Sequence, residues 1–185
     1  LYSAVEGASD FAIALGINIP TGKDSMSMTQ KYPSGEKVLA PGTLIISTVA
    51  RVNDIRKVVH PVFNNKAGEI IYLPFNQKLE YNLGGSAYAQ ICSAIGSRSA
   101  DVYDAGYFAK CFTALQEAIQ KEAVTAGHDI SAGGLITTLL EGCFANCNGG
   151  LSIDVSMLDA NILFSEMPGV VLQAADKQLC EILDN

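Results

Sequence analysis

Histidine and basic residues are scarce in this sequence, and each scarcity removes a class of function. Only His60 and His128 occur among 185 residues. With two imidazoles and no Gly-x-Ser-x-Gly nucleophile turn, neither a Ser-His-Asp nor a Cys-His catalytic arrangement is supported. Zinc is disfavoured for the same reason: Cys143 and Cys147, four apart, lack the further ligands a tetrahedral site needs. Lys and Arg total 12 against 19 Asp and Glu, a formal charge of −7. A general nucleic-acid partner is thereby excluded, because a phosphate backbone demands a basic face. No apolar run approaches the ~20 residues that cross a bilayer; the longest are Thr43–Ala50 and Gly169–Ala175. A membrane is therefore not an expected partner. No basic-then-apolar leader opens the chain, which starts at Leu1 and reads as a segment of something larger.

What is present points to a packed protein. Hydrophobic residues make up 49% and charged residues 17%, a balance that predicts a sizeable core rather than a disordered polar chain. The five cysteines are an odd number in apolar contexts and read as reduced thiols in a cytoplasmic protein.

Along the chain, Val5, Ala8, Phe11, Ala12 and Leu15 recur at helical spacing over residues 1–15, with Gly16 as the stop. Residues 17–19 read as a short strand. Residues 30–42, with Pro33, Gly35, Pro41 and Gly42, read as a linker. The resulting division is 1–29, linker 30–42, and a domain over 43–185. Thr43–Val52, rich in β-branched residues, reads as a buried strand. Asn53 and Asp54 cap a short helix, Glu69–Leu73 is a strand, and Gly84-Gly85-Ser86 opens a helix to about Ile95. Residues 105–126 form the longest helical pattern, carrying Phe108, Phe112, Leu115, Ala118 and Ile119 on one face and stopped by Gly127. A turn over His128–Ser131 leads to a helix ending near Phe144. Leu151–Val155 and Gly169–Ala174 read as strands, and a last helix starts at Asp176. This mixed order predicts an α+β fold with a mixed or antiparallel sheet layered with helices.

Four stretches carry residues capable of chemistry. Gly22-Lys23-Asp24-Ser25 fails the P-loop spacing, yet Lys23 and Ser25 are of the type that contacts phosphate; the same residues also make an ordinary polar loop. Gly84-Gly85-Ser86 permits either anion binding by converging N–H groups or tight packing with a Ser86 cap. His128-Asp129-Ile130-Ser131-Ala132-Gly133-Gly134 is the most informative. Asp129 offers the hard oxygen that Mg2+ prefers, and Ser131 suits a phosphate or ribose oxygen. The alternative is an Asp/Ser capping turn; His128 reads as a hydrogen-bonded structural residue rather than a general base. Glu166, just ahead of an apolar run, reads as a solvated loop acid, with a cleft-facing role as the alternative.

Taken together, these motifs resemble a known family. Pro20-Thr21-Gly22-Lys23-Asp24-Ser25-Met26-Ser27-Met28 is similar to the P-x-GKDSMSM segment of large, single-chain phosphoribosylformylglycinamidine synthases. Gly84-Gly85-Ser86-Ala87 resembles the glycine-rich helix start of their second synthetase-like half, and 128–135 resembles their HD-x-S-x-GGL turn. Phe164–Gly169 follows as F-x-E-x-x-G. The HD-x-S turn is shared with other aminoimidazole ribonucleotide synthetase-like enzymes, including selenophosphate synthetases, which remain the alternative ligand-binding reading. A purely architectural domain is the alternative without a ligand.

The resemblance implies a fold like the C-terminal domain of aminoimidazole ribonucleotide synthetase, preceded by the tail of an N-terminal-like subdomain. It implies a glutamine-dependent carbon–nitrogen ligase of purine biosynthesis that uses ATP and Mg2+. This segment would be inactive alone. Its partners would be the first synthetase half and the glutaminase domain of the same polypeptide, with self-association when isolated. Asp129 matches the metal-ligand position and Ser131 the nucleotide-contacting position of a structural ADP site. Gly133, Gly134, Lys23 and Ser25 are weaker candidates, and no catalytic residue is assigned. Where the family often has Asp-Gly-Gly, this chain has Ala132-Gly133-Gly134.

Overall fold

The computed structural model describes residues 1–24, 28–65, 68–175 and 178–183. The chain forms two units, Leu1–Val52 and Asn53–Asn185.

In the first unit, helix α1 spans Tyr2–Ala14. Its end is a left-handed turn at Gly16 (φ 69°), where Gly16 N–H donates to Ile13 O and Ile17 N–H to Ala12 O. That pair of bonds satisfies carbonyls the helix would otherwise leave open. None of its residues is buried; Ala8, Phe11 and Ala12 on the expected face, and Leu15 just beyond it, are half-buried. Residues 17–19, expected as a strand, are irregular. Residues 30–42, expected as a linker, carry most of an antiparallel hairpin of β1 (Thr29–Lys31) and β2 (Lys37–Leu39), closed through Gly35 at φ 88°. Thr43–Val52 is not the expected buried strand. It is irregular, with Ile45 84% and Val49 101% exposed. A β-branched run becomes a strand only where another strand supplies hydrogen-bond partners, and none pairs with it among the described residues.

In the second unit, the sheet has the order β3 (Ile70–Pro74), β5 (Gly169–Ala174), β4 (Val124–Asp129), with both pairings antiparallel. The central strand is covered on both faces. Leu172 and Ala174 face a cluster containing Cys111, Leu115 and Ala118 of α3 (Ala105–Gln120) and Leu179 of α6 (Gln178–Leu183). Val171 faces the other way, toward Phe63, Ile130 and Leu135 and Leu139 of α4 (Gly134–Phe144). Two-sided burial explains why β5 reads as one continuous apolar run. The α+β expectation holds.

Several boundaries differ from the sequence reading. α3 stops at Gln120 rather than continuing to 126, and Phe112 lies on its exposed side while Cys111 faces the core. The stop is made by Glu122 at φ 59°, with Glu122 N–H donating to Ile119 O and Ala123 N–H to Ala118 O. The residues beyond it form β4, so Gly127 sits within a strand and His128 and Asp129 are its last two residues. β4 bulges between Val124 and Ala126, which shifts its register by one residue. The helix after Ser86, α2, covers only Ala87–Ile91. Residues 151–155 are irregular, whereas Ala160–Phe164 form α5, capped by Asp159. The expected start of the last helix, Asp176, lies outside the described residues. The short helix after Asp54 is a single 3-10 turn, Ile55–Lys57, whose Arg56 N–H donates to the Asp54 carboxylate.

Candidate functional site

Antiparallel pairing of β4 with β5 decides what stands beside the His128–Gly134 turn. Asp129 pairs with Val170, and Ile130 N–H donates to Gly169 O at 2.9 Å. The end of β4 therefore lies against the segment entering β5. Pro74 pairs with Gly169, and Phe75 N–H donates to Pro168 O, so β3 closes the other side.

At this sheet end the turn presents its two principal candidates outward. The Asp129 side chain is 76% exposed, and Ser131 is also exposed. His128 is held beneath them. Its Nδ1 donates to Asp129 O at 2.8 Å, and its Nε2 lies 3.3 Å from a Glu141 carboxylate oxygen. His128 thus has the structural, hydrogen-bonded surroundings expected of it. Thr138, on α4, is buried and stands 3.2 Å from the carbonyls of both Asp129 and Gly134.

The paired glycines adopt left-handed conformations, Gly133 at φ 91° and Gly134 at φ 73°, which side chains rarely adopt. A Cβ on Gly134 would come within 2.6–2.9 Å of the backbone of Leu163, Phe164 and Ser165. Their N–H groups are engaged inside the chain: Gly133 donates to Glu166 Oε1 at 2.9 Å and Gly134 to Ser131 O at 3.0 Å.

The Gly84 turn comes to the same place. Gly84 N–H donates to Arg98 O and Gly85 N–H to Ile95 O. A Cβ on Gly84 would stand 2.3 Å from Arg98 O, so this glycine is required for close approach of two backbones. Ser86 is the N-cap of α2, accepting from Ala89 N–H at 3.2 Å. Beside this turn, Glu80 is held below the usual carboxylate range, first by a hydrogen bond from Lys78 and then by one from Tyr103. The Tyr103 hydroxyl is pushed up by the same contact with Glu80.

Glu166 corrects the sequence expectation. It is a half-buried residue rather than a solvated loop acid, and its Oε1 accepts both Gly133 N–H and Ala87 N–H, the latter at 2.8 Å. Its two donors lie on separate turns, so only the F-x-E-x-x-G pattern hinted at it. Lys23 and Asp24 lie in the first unit, where they border a cleft of about 660 Å3 with Thr21, Gly22 and residues 43–47. Ser25 lies outside the described residues. The second unit thus brings together Asp129, Ser131, Gly133 and Gly134 on one turn.

The donor set suits a shared cation site rather than a closed one. Asp129 is a single exposed carboxylate, and among the described residues no group of three or more His, Cys, Asp or Glu could hold a metal ion. An Mg2+ there would take its remaining ligands from phosphate oxygens, water or other residues, which is the usual habit of that ion.

Comparison with known proteins adds the family. Residues 1–51 match the FGAR-AT PurM_N-like domain, and residues 68–184 match the AIR synthase related protein, C-terminal domain. Over its whole length the chain is 38% identical to the probable phosphoribosylformylglycinamidine synthase, chloroplastic/mitochondrial, of Arabidopsis thaliana. It spans 13% of that relative's length.

Proposed function

The chain belongs to the AIR synthase related C-terminal domain family, and from that membership we propose that it works as part of a phosphoribosylformylglycinamidine synthase. The observation that carries the reading is the exposed Asp129–Ser131 pair on a turn tied by the Thr138 hydroxyl at the end of the sheet. The polypeptide would amidate formylglycinamide ribonucleotide in purine biosynthesis, with ATP as activator and glutamine as amide donor, in the cytoplasm. This segment contributes to a nucleotide site and is inactive alone.

In that site Asp129 would offer a carboxylate oxygen to Mg2+, and the Ser131 hydroxyl would meet a phosphate or ribose oxygen of ADP. The magnesium ion neutralises phosphate charge, its usual contribution to nucleotide binding. His128 and Thr138 keep the turn in place. The Gly133 and Gly134 amides bind within the chain, so their service to the nucleotide is to shape the turn. The rest of the ligand set comes from other parts of the polypeptide, including the first synthetase half, and ammonia from its glutaminase domain.

A second reading is architectural. It is favoured by the engagement of the Gly84, Gly85, Gly133 and Gly134 amides inside the chain. Assay of the full-length protein for ATP- and glutamine-dependent amidation of formylglycinamide ribonucleotide tests the parent activity. Nucleotide released on denaturing the Asp129→Asn protein separates the two readings. Loss of bound ADP supports the site, and wild-type ADP content supports the architectural role.

A further inference from the structure

The F-x-E-x-x-G stretch is not used by the nucleotide site described above, yet it holds the carboxylate that joins the two glycine turns. Glu166 Oε1 accepts Ala87 N–H at 2.8 Å and Gly133 N–H at 2.9 Å. Ala87 is the first residue of α2, where the Ser86 hydroxyl already caps the Ala89 N–H. Gly133 is the N-cap of α4 and has no side chain to offer. Glu166 therefore accepts, from a distant segment, the N-cap's own N–H, the bond that a Glu or Gln at the third helical position makes in a capping box and that Ile136 cannot make. A carboxylate accepting two N–H groups makes charge-assisted bonds, stronger than neutral ones.

The segment around Glu166 is clamped from both sides. Gly134 packs directly on the 163–165 backbone. The Tyr88 ring stacks on Phe164 with centroids 4.6 Å apart, and Ser165 Oγ donates to Asn82 O at 3.0 Å. The buried Met167 follows. With its backbone fixed by these contacts, the Glu166 carboxylate has a defined place between the two turns.

We propose that Glu166 is a positioning residue that ties the Ser131–Gly134 turn to the start of α2 and so sets where Asp129 and Ser131 stand. Its effect on nucleotide affinity rests on the nucleotide-site reading; the tie between the turns does not. The carboxylate also occupies the Gly133 amide, so a phosphate bound here would be left the Ser131 hydroxyl and any cation that Asp129 held.

The test uses the full-length protein with Glu166→Ala and Glu166→Gln. Amide hydrogen exchange at Ala87 and Gly133 reads the tie itself. Exchange at both positions accelerates in Glu166→Ala, slows again when formate fills the vacated cradle, and changes least in Glu166→Gln, which keeps an oxygen acceptor. A chloride control at equal ionic strength leaves Glu166→Ala unrestored. Mg-ADP titration reads the consequence: affinity falls about 10- to 100-fold in Glu166→Ala, the range seen when groups behind a metal ligand are removed, and formate recovers part of it. Unchanged protection at Ala87 and Gly133, or no response to formate at either amide, overturns the proposal. Restored protection in a protein that binds no Mg-ADP even as wild type keeps the tie and refutes the nucleotide-site reading instead.

Discussion

The hydroxyl of Thr138, which is 1% exposed, stands 3.2 Å from the carbonyl oxygen of Asp129 and 3.2 Å from that of Gly134. One hydroxyl proton is thus shared between the end of β4 and the first turn of α4. Thr138→Val keeps the shape and removes the donor. Asp129 O keeps its bond from His128 Nδ1, so the loss is that of a single hydrogen bond, about 0.5–1.5 kcal/mol, and denaturant unfolding gives a lower midpoint for Thr138→Val. Thr138→Ser retains the donor and recovers most of the loss.

Gly142 sets helix propensity against packing. In an exposed helix interior, Gly→Ala gains about 1 kcal/mol. A Cβ here would come within 2.3–2.7 Å of three atoms of the buried Phe63 ring, on a helix whose Gly142 O also accepts Phe63 N–H at 2.8 Å. Overpacking of this kind costs about 1–3 kcal/mol. The expected outcome is a net loss of stability for Gly142→Ala, read by thermal melting; a stabilised variant would show that the Phe63 ring yields freely.

Alkaline pH weakens the second unit. Burial pushes the Tyr72 phenol far above its ordinary value, and burial likewise raises the Cys111 thiol. Each group is held neutral in the fold and ionises more readily in the unfolded chain. Stability is therefore full below the ordinary thiol range, about pH 8.5, and declines as pH rises through the ordinary thiol and phenol values. Thermal melts from pH 7 to 11 show this fall. Tyr72→Phe reduces its slope above about pH 10.

The isolated chain is expected to self-associate. Ile45 and Val49 of the first unit are 84% and 101% exposed, and Ile55 of the second is 81% exposed; exposed apolar side chains of this kind offer contact surface to a second copy. In the proposed assembly, other domains of the same polypeptide cover such residues. Light scattering after size exclusion gives a mass above the 19.5 kDa of one chain, and Ile45→Lys with Val49→Lys lowers it. A strict monomer at high concentration contradicts the expectation.

What could be read from the sequence follows the range of the interactions involved. The Gly16 stop of α1 and the Ser86 and Asp54 caps depend on neighbours within a few residues, and the sequence displays them; strands β3 and β5 are legible because each carries its own short apolar run, although their partners lie far along the chain. β4 was hidden because α3 ends at Glu122 in a left-handed turn without the glycine that usually announces it. Residues 43–52 and 151–155 have strand-like composition, but a strand is completed by partners elsewhere in the chain. Asp129, Ser131, Gly133 and Gly134 share one short motif, so the sequence shows them as a group. Glu166 is not legible in the same way, because its donors, Ala87 and Gly133, come from two other segments far along the chain.

The most direct test of the account is calorimetric titration of Mg-ADP into the full-length protein stripped of nucleotide, wild type against Asp129→Ala. The account predicts saturable binding to the wild type. It predicts at least a tenfold weaker affinity for the variant, about 1.4 kcal/mol or more, with α-helix and sheet content unchanged by circular dichroism. Equal affinity for the two proteins would contradict it and leave the Asp129 turn an architectural element.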